Sequence, residues 1–388
     1  MPKDQSQLIY LDHAATTPLD PRVLDAMLPF LTGSFGNASS LHAAGREASG
    51  AVEEARGRVA LALGADPREV VFTSGATEAN NLALRGVARA PAHARRPRRV
   101  VTCLTEHHAV LDPLAGLEAE GFEVVRLGVD RRGRVDLDRL DSELARGVLL
   151  VSLMSANNET GGRHPIAEIG ARCRSHGALF HTDATQTFGK ERLDVDEACV
   201  DLLSLSAHKL YGPKGVGVLY LRRKRPRVRV EALLDGGGHE GGRRSGTLNV
   251  PGIVGLGAAT RIAEAERRAD AERIAGLRDR FEASLAAEVE GLSVMGDVSD
   301  RLPGHSNLAF PGVDGDDLLK GLPGLCASTA AACTSASLER SHVLRALGHD
   351  PAGVAGSVRF SLGRTTTAGE VERAIRLILD GLHALRGG

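Results

Sequence analysis

Seven short apolar runs alternate with helical patterns between residues 68 and 222. They are EVVFT (69–73), RVVTCL (99–104), FEVVRL (122–127), GVLLVSLM (147–154), ALFHTD (178–183), VDLLSLS (200–206) and VGVLYL (216–221). Runs of this length, closed by turns and separated by helices, predict a mostly parallel sheet with helices on both faces. One helix is expected from Thr77 to Arg89 and another after His108. Residues 251–290 break the alternation; rich in Ala, Glu, Arg and Leu, they predict one long helix or two. Beyond residue 292 the pattern is mixed: SNLAFPGV (306–313), a helix near Asp316–Gly321, VRFSLGR (358–364) and a last helix over Ala368–Leu385. The expected fold is α/β. The pattern gives a large α/β domain and a smaller carboxyl-terminal α+β domain, with the long helix between them. The arginine-rich stretch Arg95–Arg99 reads as a solvated loop.

Composition excludes several classes. Lys plus Arg number 48 and Asp plus Glu 49, so no net charge drives the chain toward nucleic acid or an anionic membrane. Aromatic residues make up 3%, too few to build stacking platforms for single strands. No apolar run is long enough for a membrane span, and the amino-terminal segment has no signal-peptide core, so the expected location is cytoplasmic. The five Cys, Cys103, Cys173, Cys199, Cys326 and Cys333, include no CxxC pair, so neither a disulfide framework nor a thiolate metal site is expected. Only six lysines occur, so lysine chemistry has few candidates.

In open α/β sheets ligands collect at the carboxyl ends of strands. There, SGATEAN (74–80) joins a strand to a helix and can offer amides and the Thr77 hydroxyl to a phosphate. The same pattern also suits an ordinary capped helix start. His107 follows a strand and can stack on a planar ring, move protons, or simply bond within its loop. Asp183 ends ALFHTD and can pair a cation or cap the next segment. Lys209, in SAHKLYGPKG (206–215), is confined by a rigid turn, the setting in which an amine forms a Schiff base; Lys214 reads as a surface turn lysine. Together these are the parts that a pyridoxal phosphate site needs.

YLDHAATTP (10–18), SFGNASSLH (34–42), VFTSGATEANN (71–81), TEHHAV (105–110), ANNETG (156–161), HTDATQTFGK (181–190), SAHKLYGPKG, GGGHEGGRRSGTLN (236–249), AACTSASLERSHVLRALG (331–348) and VRFSLGR occur in order along almost the whole chain. In these segments the sequence resembles cysteine desulfurases of the NifS/IscS type, fold-type I pyridoxal phosphate enzymes of aminotransferase class V. The resemblance implies a large domain over 17–260 with a mostly parallel seven-stranded sheet, a smaller domain made of 1–16 and 261–388, a homodimer, and pyridoxal 5'-phosphate as cofactor. It implies L-cysteine as substrate and an iron–sulfur scaffold or a thiolation enzyme as sulfur acceptor, with no direct nucleic-acid or membrane partner.

Residue by residue, it implies that Lys209 carries the cofactor as an imine and that His107 stacks over its ring. Asp183 partners the ring nitrogen, and Gln186 and Asn158 lie near the ring hydroxyl. Ala76, Thr77, Ser206 and His208 hold the phosphate, and Thr247 reaches the phosphate of a second subunit. Arg359 clamps the substrate carboxylate, with Asn37 assisting. Cys333 is the nucleophile that receives sulfur as a persulfide, on a small-residue segment at 324–337, and it could transiently ligate a scaffold's iron–sulfur cluster; no resident metal is implied. Cys326, on the same segment, is the competing thiol. Selenocysteine lyase, another class V enzyme, or a degenerate sulfur-relay protein are the alternatives.

Overall fold

The computed structural model describes residues 8–329 and 340–386. The first strand, β1 (Ile9–Tyr10), stands apart from the main sheet, whose strands follow as β2 (Val70–Thr73), β3 (Arg99–Cys103), β4 (Glu123–Leu127), β5 (Leu150–Ser152), β6 (Leu179–Asp183), β7 (Leu202–Ser206) and β8 (Gly217–Leu221). Their order across the seven-stranded sheet is β2-β8-β7-β6-β5-β3-β4. Every neighbouring pair is parallel except those made by β8, which runs antiparallel to β2 and β7. The carboxyl ends of β2, β3, β5, β6 and β7 therefore share one edge, and their following turns converge there.

The apolar runs become strands because both sheet faces are covered. Val101, Val151, Phe180, Leu203 and Val218 pack into the core on one face. Val71, Val100, Leu150, Leu179, Leu202 and Leu219 pack on the other. Arg99 departs from the solvated-loop expectation: it opens β3, is buried, and pairs with Glu123 and Glu143. Its guanidinium is held inside because these carboxylates neutralise it.

Two further strands, β9 (Ser293–Val294) and β10 (His305–Ala309), precede β11 (Leu325–Cys326) and β12 (Ser357–Ser361). Strands β12, β10 and β9 form a second, antiparallel sheet, whereas β11 pairs in parallel with β1. Ile9 and Leu11 thus enter a core with Phe281, Phe310, Phe360 and Ile378. Phe281 and Phe360 meet edge-on at 5.0 Å.

The stretch after Asn249 is one helix, Val250–Glu288, about 58 Å long at the usual rise. The Asn249 side chain accepts from the Gly252 amide and Pro251 sits in its first turn, so the start is fixed locally. Its first half buries Ile253 and Leu256 against the large sheet's core. Its second half buries Ile274, Phe281 and Leu285 in the carboxyl-terminal core. This helix ties the two cores together. Among the described residues no helix is long and apolar enough to cross a membrane.

Candidate active site

A cavity of about 590 Å³ opens at the shared carboxyl edge. Ala76, Thr77, His107, Asn158, Asp183, Gln186, Ser206, His208, Lys209 and Arg359 all line it. Asn37 and Thr247 are exposed and do not; Cys333 lies outside the described residues.

Each residue arrives on a specific piece of backbone. The helix Ala76–Arg89 begins after Gly75 with no side-chain cap, so its first-turn amides face the cavity uncapped. The turn is pressed against β8: a Cβ at Gly217 would lie 2.7 Å from the Gly75 Cα and 2.5 Å from the Leu205 carbonyl oxygen. Only glycine allows this approach. Glu78, in the same turn and also on the cavity wall, is paired with Arg244 at 2.9 Å and accepts from the Ser74 amide.

Asp183 ends β6 with one carboxylate oxygen accepting from Asn80 Nδ2 at 2.7 Å and the other from the Thr185 amide at 2.9 Å. His107 caps the next helix, its Nδ1 accepting from the Ala109 amide at 3.0 Å. That leaves the proton of the neutral ring on Nε2. Enclosure by the cavity walls lowers the His107 pKa, against the opposing pull of Asp183. The ring is thus set up as a neutral donor near pH 7.

Lys209 sits at the end of a tight turn after β7, and its Nζ donates to the carbonyls of Ala14 and Ala15, both at 2.6 Å. His208 beside it bonds Thr16 Oγ1 at 3.1 Å. Burial, with Lys209 and Lys214 nearby, pushes its pKa down to about 4, so it is neutral. Lys214 is exposed at the cavity rim.

Arg359 reaches the cavity from β12. Its Nη2 donates to Asp12 Oδ1 at 2.8 Å and its Nη1 to the Asn158 carbonyl at 3.0 Å, while its buried Nε has no partner among the described residues. An unsatisfied N–H on a neutralised guanidinium suits a second carboxylate.

The segment bearing Thr247 is anchored to the large sheet and to the helix that carries Arg56. Glu240 is buried and pairs with Arg56 through two bonds of 2.8 Å while accepting from the Phe72 amide at 2.9 Å. Glu240 holds a left-handed conformation, φ 52°, to make these contacts. Glu240→Ala takes from Arg56 its buried partner, leaving only the exposed Glu53 as counter-charge, and unpairs the Phe72 amide, so it is expected to destabilise the fold by about 2 kcal/mol. Urea unfolding with an unchanged midpoint would remove this anchor.

The aminotransferase class-V family matches residues 9–374. A cysteine desulfurase IscS from Anaeromyxobacter sp. (strain Fw109-5) is 52% identical over 97% of this chain and 93% of its own. The human cysteine desulfurase is 49% identical over 97% of this chain and 82% of its own. The chain belongs to the cysteine desulfurases of aminotransferase class V. A solved NifS-like protein superposes on this desulfurase with a TM-score of 0.90 at 37% identity, covering 97% of this chain and 99% of its own.

Enzymes of this family use pyridoxal phosphate, and the desulfurase's cavity fits that group. Uncapped helix amides and the Ser206 hydroxyl suit the phosphate, an amine suits the aldehyde, and a buried carboxylate suits the ring nitrogen. The Thr185 hydroxyl, also on the wall, is buried with no hydrogen-bond partner among the described residues. Three of the four described thiols, Cys103, Cys173 and Cys326, are poorly placed for nucleophilic work. Cys103 is buried in β3 with its pKa pushed up to about 11, and Cys173 is buried with its pKa raised further. Cys326 is pinned in β11 against β1, its pKa raised by burial and by Asp12.

Asp12 and Asn80 are site residues that motif reading did not single out. Asp12 lies inside YLDHAATTP, but its partner Arg359 is 347 positions away, and no local pattern links them. The Ala14 and Ala15 carbonyls act through backbone and leave no side-chain signal.

Proposed function

We propose that this chain is a working cysteine desulfurase: it removes sulfur from L-cysteine, releases L-alanine, and hands the sulfur to an acceptor protein. The carrying observation is that Lys209, Asp183, His107 and Arg359 share one cavity. Pyridoxal phosphate, when bound, supplies an electron sink for the pair left as the substrate α-proton departs. Lys209 is the amine that takes and returns that proton. Asp183, oriented by Asn80 and the Thr185 amide, presents a fixed anion. His107, whose Nδ1 is held by the Ala109 amide, offers Nε2 as a second proton carrier in the cavity. Cys333 accepts the sulfur: its thiolate forms the new S–S bond as the substrate C–S bond breaks, and the carbon takes up a proton.

The acceptor is an iron–sulfur scaffold or a thiolation enzyme, and the protein works as a cytoplasmic homodimer. Thr247 supports the dimer: it is exposed, away from its own cavity, on a segment that its own subunit braces. The smaller domain of 1–16 and 261–388 carries Arg359 and Cys333 to the cavity made by 17–260.

Incubation of cofactor-loaded protein with L-cysteine and a thiol reductant is expected to give alanine and sulfide in equal amounts; selenide from selenocysteine without sulfide from cysteine would overturn the reading. Arg359→Ala is expected to raise KM for cysteine by about 10- to 100-fold, the worth of a charge-assisted carboxylate contact, with a smaller fall in kcat. Steady-state kinetics checks this, and an unmoved KM removes the clamp.

A further inference from the structure

The cavity wall contains an amide whose orientation decides what it offers a ligand. Gln186 is buried, and its Nε2 donates to the Ala14 carbonyl at 2.9 Å. Ala14 oxygen is the same acceptor that Lys209 uses at 2.6 Å. On the other side, Lys190 Nζ donates to Gln186 Oε1 at 3.3 Å. A glutamine amide can be turned over with little change in shape, exchanging its donor and acceptor ends. A lysine ammonium has donors only. Lys190 therefore forces the Gln186 oxygen toward itself and the NH₂ toward Ala14 and the cavity. The second N–H of that NH₂ has no protein partner among the described residues.

Lys190 is committed to this contact. Among the described residues Gln186 Oε1 is the one side-chain acceptor within hydrogen-bond distance of its amine, and no carboxylate makes an ion pair with it. Behind it lies a small cavity of about 50 Å³, shared with His13 and His305. Both imidazoles are held neutral by burial, with the Lys190 charge adding to the effect. Burial, then the neighbouring Lys209 and Arg359 cations, brings the Lys190 pKa down to about 7, with Glu191 only partly offsetting them.

We propose that Lys190 is a positioning residue: by locking the Gln186 amide with its N–H toward the cavity, it makes this wall select an anionic ring oxygen on the bound cofactor. The inference rests on the cofactor reading above, through the place of Gln186 beside the ring hydroxyl. Lys190 itself touches neither cofactor nor substrate in this role. Its effect passes through one amide.

The test is a pH titration of the visible absorbance of protein loaded with pyridoxal phosphate, for the wild type, Lys190→Met and Lys190→Arg. A donor held at the ring oxygen favours its deprotonated form, so losing the lock is expected to move the spectral midpoint upward by about one pH unit in Lys190→Met. Lys190→Arg, which keeps a donor-only head group, is expected to restore it. In ligand-free protein the Gln186 side-chain amide resonances should shift in Lys190→Met and remain in Lys190→Arg, so the lock is read even if loading is poor. Unmoved midpoints and amide resonances in Lys190→Met overturn the inference, as does an equal shift in both variants, which would make Lys190 a packing residue. A wild type without any visible band overturns the cofactor reading itself, and this one with it.

Discussion

Lys209→Ala is expected to erase the visible absorbance of the cofactor-loaded protein and to lower cysteine turnover by about 10⁴-fold, the upper end for losing a positioned proton carrier. The argument is geometric. Lys209 follows β7 on a tight turn, and two carbonyls of the amino-terminal segment hold its amine at 2.6 Å. Neither His107 nor Lys190 can replace it. His107 Nδ1 is occupied by the Ala109 amide, and Lys190 is turned toward Gln186. Lys214, at the rim, is the one other lysine lining the cavity, and it is exposed. Absorbance after dialysis against pyridoxal phosphate decides the matter: a retained band places the imine on another amine.

Cys333→Ser is expected to keep the cofactor band and lose sulfur transfer by at least about 10³-fold, because a serine hydroxyl is not ionised near pH 7 and cannot form the S–S bond. Cys333 itself lies outside the described residues, but the chain on either side is tied beside the substrate clamp. Ser328 donates to Asp12 at 2.8 Å, and Asp12 holds Arg359. On the far side Ser341 donates to Glu159 at 2.5 Å, next to Asn158. Cys326→Ser is expected to retain most activity, since that thiol is fixed in β11 with a raised pKa. Sulfide release measured for both variants separates the two thiols; activity lost only in Cys326→Ser would reverse the assignment.

Much of this was legible in the sequence because strand and turn announce themselves locally. ALFHTD reads as a buried strand ending in a carboxylate, and the structure places Asp183 at the end of β6. SAHKLYGPKG reads as a lysine in a rigid turn, and Lys209 is found there. Periodicity could not reveal that β8 runs against its neighbours, since an apolar run looks alike in either direction. Nor could it reveal β1, a two-residue strand whose partner Cys326 comes more than three hundred positions later. The charge on Arg99 pointed outward on statistical grounds, but Glu123 and Glu143 bring it inside. The roles of Asp12 and Asn80 depend on contacts between distant segments, which no window of neighbouring residues contains.

The position of β1 has a consequence for how the molecule is made. The segment around β1 supplies the brace for Arg359 and the carbonyls that seat Lys209, yet β1 pairs with Leu325 and Cys326, more than three hundred positions further along the chain. Such long-range closure is slow, and nascent chains lacking it expose what they cannot yet bury. The seven-stranded sheet draws only on residues between Val70 and Leu221, so it can form without the pairing on which the catalytic chamber depends. Removing residues 9–16 would therefore damage the chemistry, through the lost brace of Arg359 and the lost seat of Lys209.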